Sequence, residues 1–153
     1  MATHTRTDFS FSQPQPPART RSRRRSQLEI AVLFTSQDGT AAAINRAAML
    51  LRGLNGRISL LDMETVPHQL CLQNPPVSRE FTKRRLLELA NTSSVEITGY
   101  VYFCRCPFDA LASILKPGSL IVIGCRKRWW PTWETKLGQK LRNAGYQVIV
   151  HES

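Results

Sequence analysis

Residues 119–125, "SLIVIGC", decide the fold of this chain. After the serine, every residue up to Cys125 is apolar, and three of them are β-branched. A strand with one face in water alternates apolar and polar residues, whereas a strand buried on both faces of a parallel sheet is apolar throughout. The stretch therefore predicts a strand inside a parallel sheet that helices cover on both faces.

The segments before this strand alternate between strand-like and helix-like patterns. Residues 28–34, "LEIAVLF", predict a first strand, followed by a turn, "SQDG", and a helix that Gly56 stops. Residues 57–63, "RISLLDM", predict a second strand, and after a polar connection residues 79–94 predict a helix that weakens near Asn91. The first of these helices carries apolar residues at helical spacing: Ile44, Ala47, Ala48, Leu51 and Leu54.

The same alternation continues to the end of the chain. Residues 95–104 predict a third strand, and Pro107 then opens a helix. Thr132 predicts the N-cap of a last helix, and residues 146–152, "YQVIVHE", predict a last strand. The apolar face of that helix is formed by Trp133, Leu137, Leu141 and Ala144, so Trp133 is expected in the core. The order β-α-β-α-β-α-β-α-β predicts a doubly wound α/β domain over residues 28–153, with a five-stranded parallel sheet.

Residues 1–27 differ in composition from the rest of the chain. They contain six arginines and one aspartate, which gives +5 of the chain's net charge of +10. A segment so poor in apolar residues cannot offset the entropy lost on ordering, so we predict a disordered basic arm. Clustered arginines are typical of solvated tails, and they also attract nucleic acid or anionic lipid.

Membrane insertion and export are both disfavoured. No apolar run approaches the ~18 residues of a membrane span. Residues 22–34, "SRRRSQLEIAVLF", vaguely suggest a twin-arginine export signal, but Glu29 interrupts the apolar part and polar residues follow at once. Two of the four cysteines, Cys104 and Cys125, end apolar runs, as is typical of buried thiols in a reducing compartment. We therefore expect a cytoplasmic protein.

Neither metal binding nor catalysis is predicted. His68-x-x-Cys71 and Cys104-x-Cys106 offer ligand types, but neither spacing is that of a standard zinc site. The chain contains no Gly-x-Ser-x-Gly, P-loop or His-Glu-x-x-His motif. Asp62, near the end of the second strand, is a candidate ligand contact, because ligands of such folds bind beyond the carboxyl ends of the strands.

Three segments together resemble the universal stress protein family: "IAVLFTSQDGTAAAINRAAMLL", "GRISLLDM" and "GSLIVIGCRKR", the last followed by "LGQKLRNAGYQVIVHE". The resemblance covers residues 28–151. It implies the adenine nucleotide alpha hydrolase-like form of the fold, a homodimer formed through the last strand and a regulatory role in stress response. A subset of that family binds ATP.

The residues that resemble the family's ATP site depart from its pattern. Binding members carry an acidic residue after the first strand and a Gly-x-x-Gly, nine-residue, Gly-Ser/Thr pattern after the fourth. A lysine at the second glycine cannot reproduce the turn around a phosphate, so we predict a degenerate site and no cofactor, with a divergent ATP site as the alternative. Here Thr35 stands where the acidic residue would be, Gly124 matches the first glycine and Lys127 replaces the second. Gly138 and Gln139 resemble the final pair one residue late, and Ser36 is a further candidate contact.

Basic and aromatic residues follow Gly124. Arg126, Lys127 and Arg128 precede the predicted helix start, where an anion would be favoured, or they form a solvated loop. Trp129 and Trp130 either plug the vacant crevice, which we expect, or form an exposed platform for a base or a partner protein. The platform and the basic arm together would make a nucleic-acid-binding protein, the chief rival function.

The last strand is predicted to lie at an edge of the sheet, where unpaired backbone groups invite another strand. Val148 and Val150 are therefore expected to pair with a second copy in a homodimer.

Overall fold

The computed structural model describes residues 5–9, 28–72 and 78–152, with the backbone alone for residues 5–9. Six strands and four helices are present in these ranges. In chain order they are β1 Thr5–Phe9, β2 Leu28–Leu33, α1 Gln37–Leu50, β3 Gly56–Thr65, α2 Arg79–Ala90, β4 Ile97–Cys104, α3 Pro107–Ile114, β5 Leu120–Cys125, α4 Trp133–Asn143 and β6 Gln147–Glu152.

The strands form one sheet in the order β1-β4-β3-β2-β5-β6. From β4 to β6 every pair is parallel. The predicted α/β fold with a five-stranded parallel sheet is therefore confirmed. The chain moves outward from β2 through β3 to β4 and then returns to the other side of β2 at β5, so the strand order reverses between β2 and β5.

Two apolar layers sandwich the sheet, as the uninterrupted apolar strands require. Side chains alternate along β2: Ile30 and Val32 pack with the layer of α1 and α2, whereas Ala31 and Leu33 pack with the layer of α3 and α4. Each of the larger side chains stabilises the fold by about 1.5–3 kcal/mol through burial. The central strand is thus held from both faces.

The first helix starts earlier than the sequence pattern predicts. Ser36 is its N-cap, so the segment predicted as a turn forms the first turn of α1. The helix ends at Leu50, and Leu54, predicted on its apolar face, lies beyond it and is exposed. A serine followed by an acidic residue is a strong N-cap signal, which explains the earlier start.

β1 is a strand that the sequence analysis did not predict. It pairs antiparallel with the outer side of β4, with Thr5 opposite Phe103 and Phe9 opposite Gly99. Its sequence, "TRTDF", is mostly polar, so no apolar pattern indicates it. The remainder of the predicted arm, including its arginine cluster, lies outside the described residues.

None of the helices in the described ranges is long and apolar enough to cross a lipid bilayer.

Candidate functional site

The reversal of strand order lies between β2 and β5, at the carboxyl edge, which is the edge where the parallel strands end. In doubly wound sheets a ligand binds in the crevice above such a reversal. Thr35 follows β2 here, and its hydroxyl donates a hydrogen bond of 2.7 Å to the carbonyl oxygen of Gly124. The two segments that would form the walls of the crevice are thus bonded to each other.

Gly124 and Gly39 bring β5 and the first turn of α1 into backbone contact. A Cβ atom added at Gly124 would lie 1.8 Å from the Gly39 carbonyl oxygen. Any other residue at position 124 would push α1 away from the sheet, so glycine is required by packing. The residue that resembles the first phosphate-binding glycine therefore serves a close helix–strand contact.

The polar groups of the connection between β2 and α1 are used internally. Ser36 Oγ accepts the N–H of Gly39 at 3.2 Å and so caps α1. The buried Thr40 hydroxyl accepts the N–H of Thr35 at 3.1 Å. The backbone N–H of Thr35 and the hydroxyl oxygen of Ser36, both at candidate nucleotide-binding positions, therefore already have hydrogen-bond partners within the protein.

The three basic residues after β5 lie on the surface. Arg126 reaches back to Asp38 in the first turn of α1 at 2.9 Å, but the two side chains are 66% and 72% exposed, so the pair adds little stability. Lys127 and Arg128 are exposed and form no ion pair with another described residue. The cationic charge faces solvent here.

Acidic side chains lie close to the end of β5. Burial raises the pKa of the Cys125 thiol, and the nearby carboxylates of Glu152 and Glu134 raise it further. One carboxylate oxygen of Glu134 is buried and has no hydrogen-bond partner among the described residues. A phosphate group at this point would meet two negative charges.

A buried ion-pair cluster lies farther along the same edge. Arg85 of α2 donates to Asp62 at 2.6 Å and to Glu64 at 3.1 Å, both on β3. Asp62 is only 4% exposed. Burial and the Glu64 carboxylate raise the pKa of Asp62 to about 6, and the charge and hydrogen bond of Arg85 oppose that rise. Asp62, a candidate ligand contact by sequence, instead anchors α2 to the sheet.

The partners of Asp62 were missed by the sequence analysis. The Arg85 guanidinium carbon lies 4.2 Å from the ring centroid of Phe34 and 5.9 Å from that of Phe81. Asp62 and Glu64 are two residues apart on a strand and so share a face, which is the signal that was available. Nothing in the sequence indicated which of the α2 cations would reach that face.

The expected tryptophan plug is wrong. Trp129 is 102% exposed and Trp130 is 67% exposed, so neither side chain fills the crevice. Trp133 is 52% exposed, and its predicted core position is also wrong. It occupies the first turn of α4, and the contact of that helix with the sheet begins one turn later, at Leu137.

The remaining candidates on α4 have structural roles or face solvent. Thr132 is the N-cap as predicted, but its hydroxyl makes no capping bond and lies 3.2 Å from that of Thr135. Gly138 is buried against β6, where an added Cβ would lie 3.1 Å from Val150. Gln139 is exposed and bonds to Asn143 at 3.1 Å. Gly138 thus permits close packing of the helix on the sheet.

β6 lies at an edge of the sheet, as predicted. The N–H of Gln147 donates to Ser119 on the β5 side at 3.1 Å, and because these directions alternate, Val148 and Val150 direct theirs outward. Arg142 of α4 donates two bonds, of 3.1 and 3.0 Å, to the Val148 carbonyl oxygen. One acceptor on the open edge is therefore already occupied.

Arg105 organises the connection after β3. Its guanidinium donates to the carbonyl oxygens of Val66, at 2.8 Å, of Leu70, at 2.7 Å, and of Pro67. His68 and Cys71, considered above as metal ligands, lie in this exposed connection, whereas Cys104 is buried in β4. Within the described ranges no three His, Cys, Asp or Glu side chains are grouped to hold a metal ion.

No model of a known protein family matches the chain, and no curated protein matches it. Membership of the universal stress protein family is therefore a proposal.

Proposed function

We propose that this chain is a non-catalytic regulatory domain resembling universal stress proteins, in which the nucleotide crevice is closed. The observation that carries this proposal is the bond from the Thr35 hydroxyl to the Gly124 carbonyl oxygen, at the point of strand reversal. A nucleotide at that point would have to break this bond and separate α1 from β5.

The surroundings of the bond support the same function. A glycine-rich phosphate turn presents free backbone N–H groups to an anion. The connection between β2 and α1 bonds its groups internally, and Glu134 and Glu152 place negative charge beside Cys125. These features support a degenerate site that does not hold a nucleotide and disfavour a divergent ATP site.

The absence of catalysis is proposed from the position of Asp62, the carboxylate whose pKa is most strongly shifted among the residues that the structure describes. Perturbed acids in clefts are candidate catalytic groups. Asp62 is instead 4% exposed and bonded to Arg85, so a substrate would have no path to it unless α2 moved. We therefore assign this cluster a structural rather than a catalytic role, and we propose that signalling takes place through surface contacts, including a homodimer formed by β6.

Thermal unfolding with nucleotides tests the closed crevice. Stabilisation by a ligand follows RT ln(1 + [L]/Kd), so a closed site predicts that millimolar ATP raises Tm by less than about 2 °C. Inorganic tripolyphosphate is the matched control, because it carries the anionic charge without adenosine. A large, saturable shift with ATP that tripolyphosphate does not reproduce would overturn the proposal.

A further inference from the structure

Three exposed tryptophans lie within five consecutive residues at the carboxyl edge. We call residues 126–133, from the end of β5 to the first residue of α4, the tryptophan loop. Trp129, Trp130 and Trp133 expose 102%, 67% and 52% of their surface. Large exposed apolar patches on a protein surface are typically binding sites. The tryptophan loop therefore needs an explanation that core packing does not supply.

The tryptophan loop is also cationic. Lys127 and Arg128 precede Trp129 directly, are exposed, and have no ion-pair partner within the described part of the chain. Lys136, exposed and one helical turn after Trp133, continues the positive charge along α4. The carboxylates of Glu134 and Glu152 lie beside Cys125, so the phosphate contacts are assigned to Lys127 and Arg128, which follow farther along the loop. Exposed cations thus precede and follow the exposed tryptophans along this segment.

Exposed cations beside exposed tryptophans suit a flexible, negatively charged polymer that carries planar aromatic rings. Single-stranded nucleic acid offers bases that stack on aromatic side chains and phosphates that bind Lys and Arg, and neither contact requires a particular base. A net charge of +10 on the whole chain favours the same partner. A membrane fits less well, because the tryptophan loop contains no Leu, Ile or Phe to insert beside its tryptophans.

We propose that the tryptophan loop binds single-stranded nucleic acid, without sequence preference, by stacking bases on Trp129 and Trp130 and by pairing phosphates with Lys127 and Arg128. The proposal goes beyond the closed crevice, because it needs only the exposed surface. It would stand even if the crevice were found to bind ATP.

Fluorescence anisotropy with a labelled 12-nucleotide oligothymidylate tests the proposal on the full chain. Trp129→Ala and Trp130→Ala should each weaken binding by about 5- to 150-fold, the loss expected for one stacked base. Trp129→Tyr should recover part of the affinity, because it restores a ring. Leu54→Ala, which truncates an exposed hydrophobic residue elsewhere, should bind as wild type does. Because these side chains are exposed, the variants should keep the wild-type melting temperature.

The salt dependence tests the phosphate contacts. Each phosphate neutralised on a single strand contributes about −0.7 to the slope of log K against log salt. Lys127→Ala with Arg128→Ala should therefore flatten the slope by about 1.4. Arg46→Ala with Arg52→Ala removes the same charge from exposed sites on α1 and the turn after it, and should leave the slope nearly unchanged.

Three results would overturn the proposal. The tryptophan variants could bind the oligonucleotide as well as wild type does, or the two double variants could lose the same amount of slope. In the third, the protein would bind phosphatidylserine vesicles in a manner that depends on Trp129 and Trp130, and it would not bind oligothymidylate. That result would assign the tryptophan loop to a membrane surface.

Discussion

At the scale of single residues, Asp62 predicts that stability depends on pH. Burial and the Glu64 carboxylate raise its pKa to about 6 in the folded chain, against the opposing effect of Arg85. The folded state therefore holds the proton more tightly than the unfolded state, which favours folding at low pH, and this contribution is lost as the pH rises through about 6. Compared with Asp62→Asn, wild type should lose about 2 kcal/mol of unfolding free energy between about pH 4 and pH 7.

Urea titrations at several pH values measure this difference, and Glu29 provides a control of opposite sign. Burial tends to raise the pKa of Glu29, but hydrogen bonds from Ser59 and Arg57 outweigh it and lower the pKa. The stability that Glu29 contributes is present above its unfolded pKa and lost as the pH falls. Compared with Glu29→Gln, wild type should therefore lose stability towards acid. A pH-independent difference between wild type and Asp62→Asn would contradict the predicted shift.

At the scale of elements, the open edge of β6 predicts self-association. The N–H of Val148 points outward, so Val148→Pro removes a donor from the edge and should convert a dimer to a monomer. Val148→Ala is the matched control, because it loses side-chain packing against Gly138 but keeps the N–H. Light scattering at micromolar concentrations distinguishes the two. A monomeric wild-type protein would contradict the prediction.

Arg142 limits how strongly that edge can pair. Its two bonds occupy the carbonyl oxygen of Val148, an acceptor that a partner strand would use. Arg142→Ala should therefore tighten the dimer, and the same light-scattering series would show this as association at lower protein concentration. Edge strands of natural proteins are commonly protected by charged side chains in this way.

The elements differ in how far the sequence predicts them. β5 is apolar throughout and β2 is apolar apart from Glu29, so both sequences indicate parallel strands, and four helices are predicted, although α1 begins earlier than its pattern indicates. β1 is held in the sheet by backbone pairing to β4. Backbone pairing does not require apolar side chains, so the polar sequence of β1 does not indicate a strand. Trp133 fits the helical spacing of Leu137 and Leu141, but spacing alone does not reveal where α4 first meets the sheet. Such meeting points depend on the three-dimensional arrangement of the elements.

The sequence predicts where the candidate site lies, but not whether its crevice is open or closed. The alternation of strands and helices places the loops after Phe34 and Gly124 at the strand reversal. Whether that crevice is open depends on a contact between Gly39 and Gly124, which are 85 positions apart in the chain. No pattern of neighbouring residues in the sequence predicts that contact. The substituted lysine at position 127 pointed to a degenerate site, and the exposed tryptophans were predicted in the wrong environment.

At the scale of the whole molecule, the start of β2 and the tryptophan loop lie at opposite edges of the sheet. Leu28 begins β2 at its amino end, and the tryptophan loop leaves the carboxyl end of β5. A six-residue strand spans about 20 Å, which separates these two points along the strand direction.

The same arrangement predicts that removal of residues 1–27 has two effects. The deletion removes the arginines, and it also removes β1 and exposes the outer edge of β4. We expect faster hydrogen–deuterium exchange across residues 97–104 in the deletion, together with self-association through that edge. Replacing Arg23, Arg24 and Arg25 with serine should leave exchange in β4 as in wild type. Equal exchange in the deletion and in wild type would argue against a paired β1.

The position of β1 also sets an order of events during synthesis. Thr5 lies 98 positions before its partner Phe103 in the chain. At about 5–20 residues per second, β1 must wait roughly 5–20 seconds for β4 to be made. β2 and β3 are complete well before then and can begin to pair. β1 is therefore translated before β2 and β3 but pairs after them, and until β4 is made the growing chain carries a strand that is open to other partners.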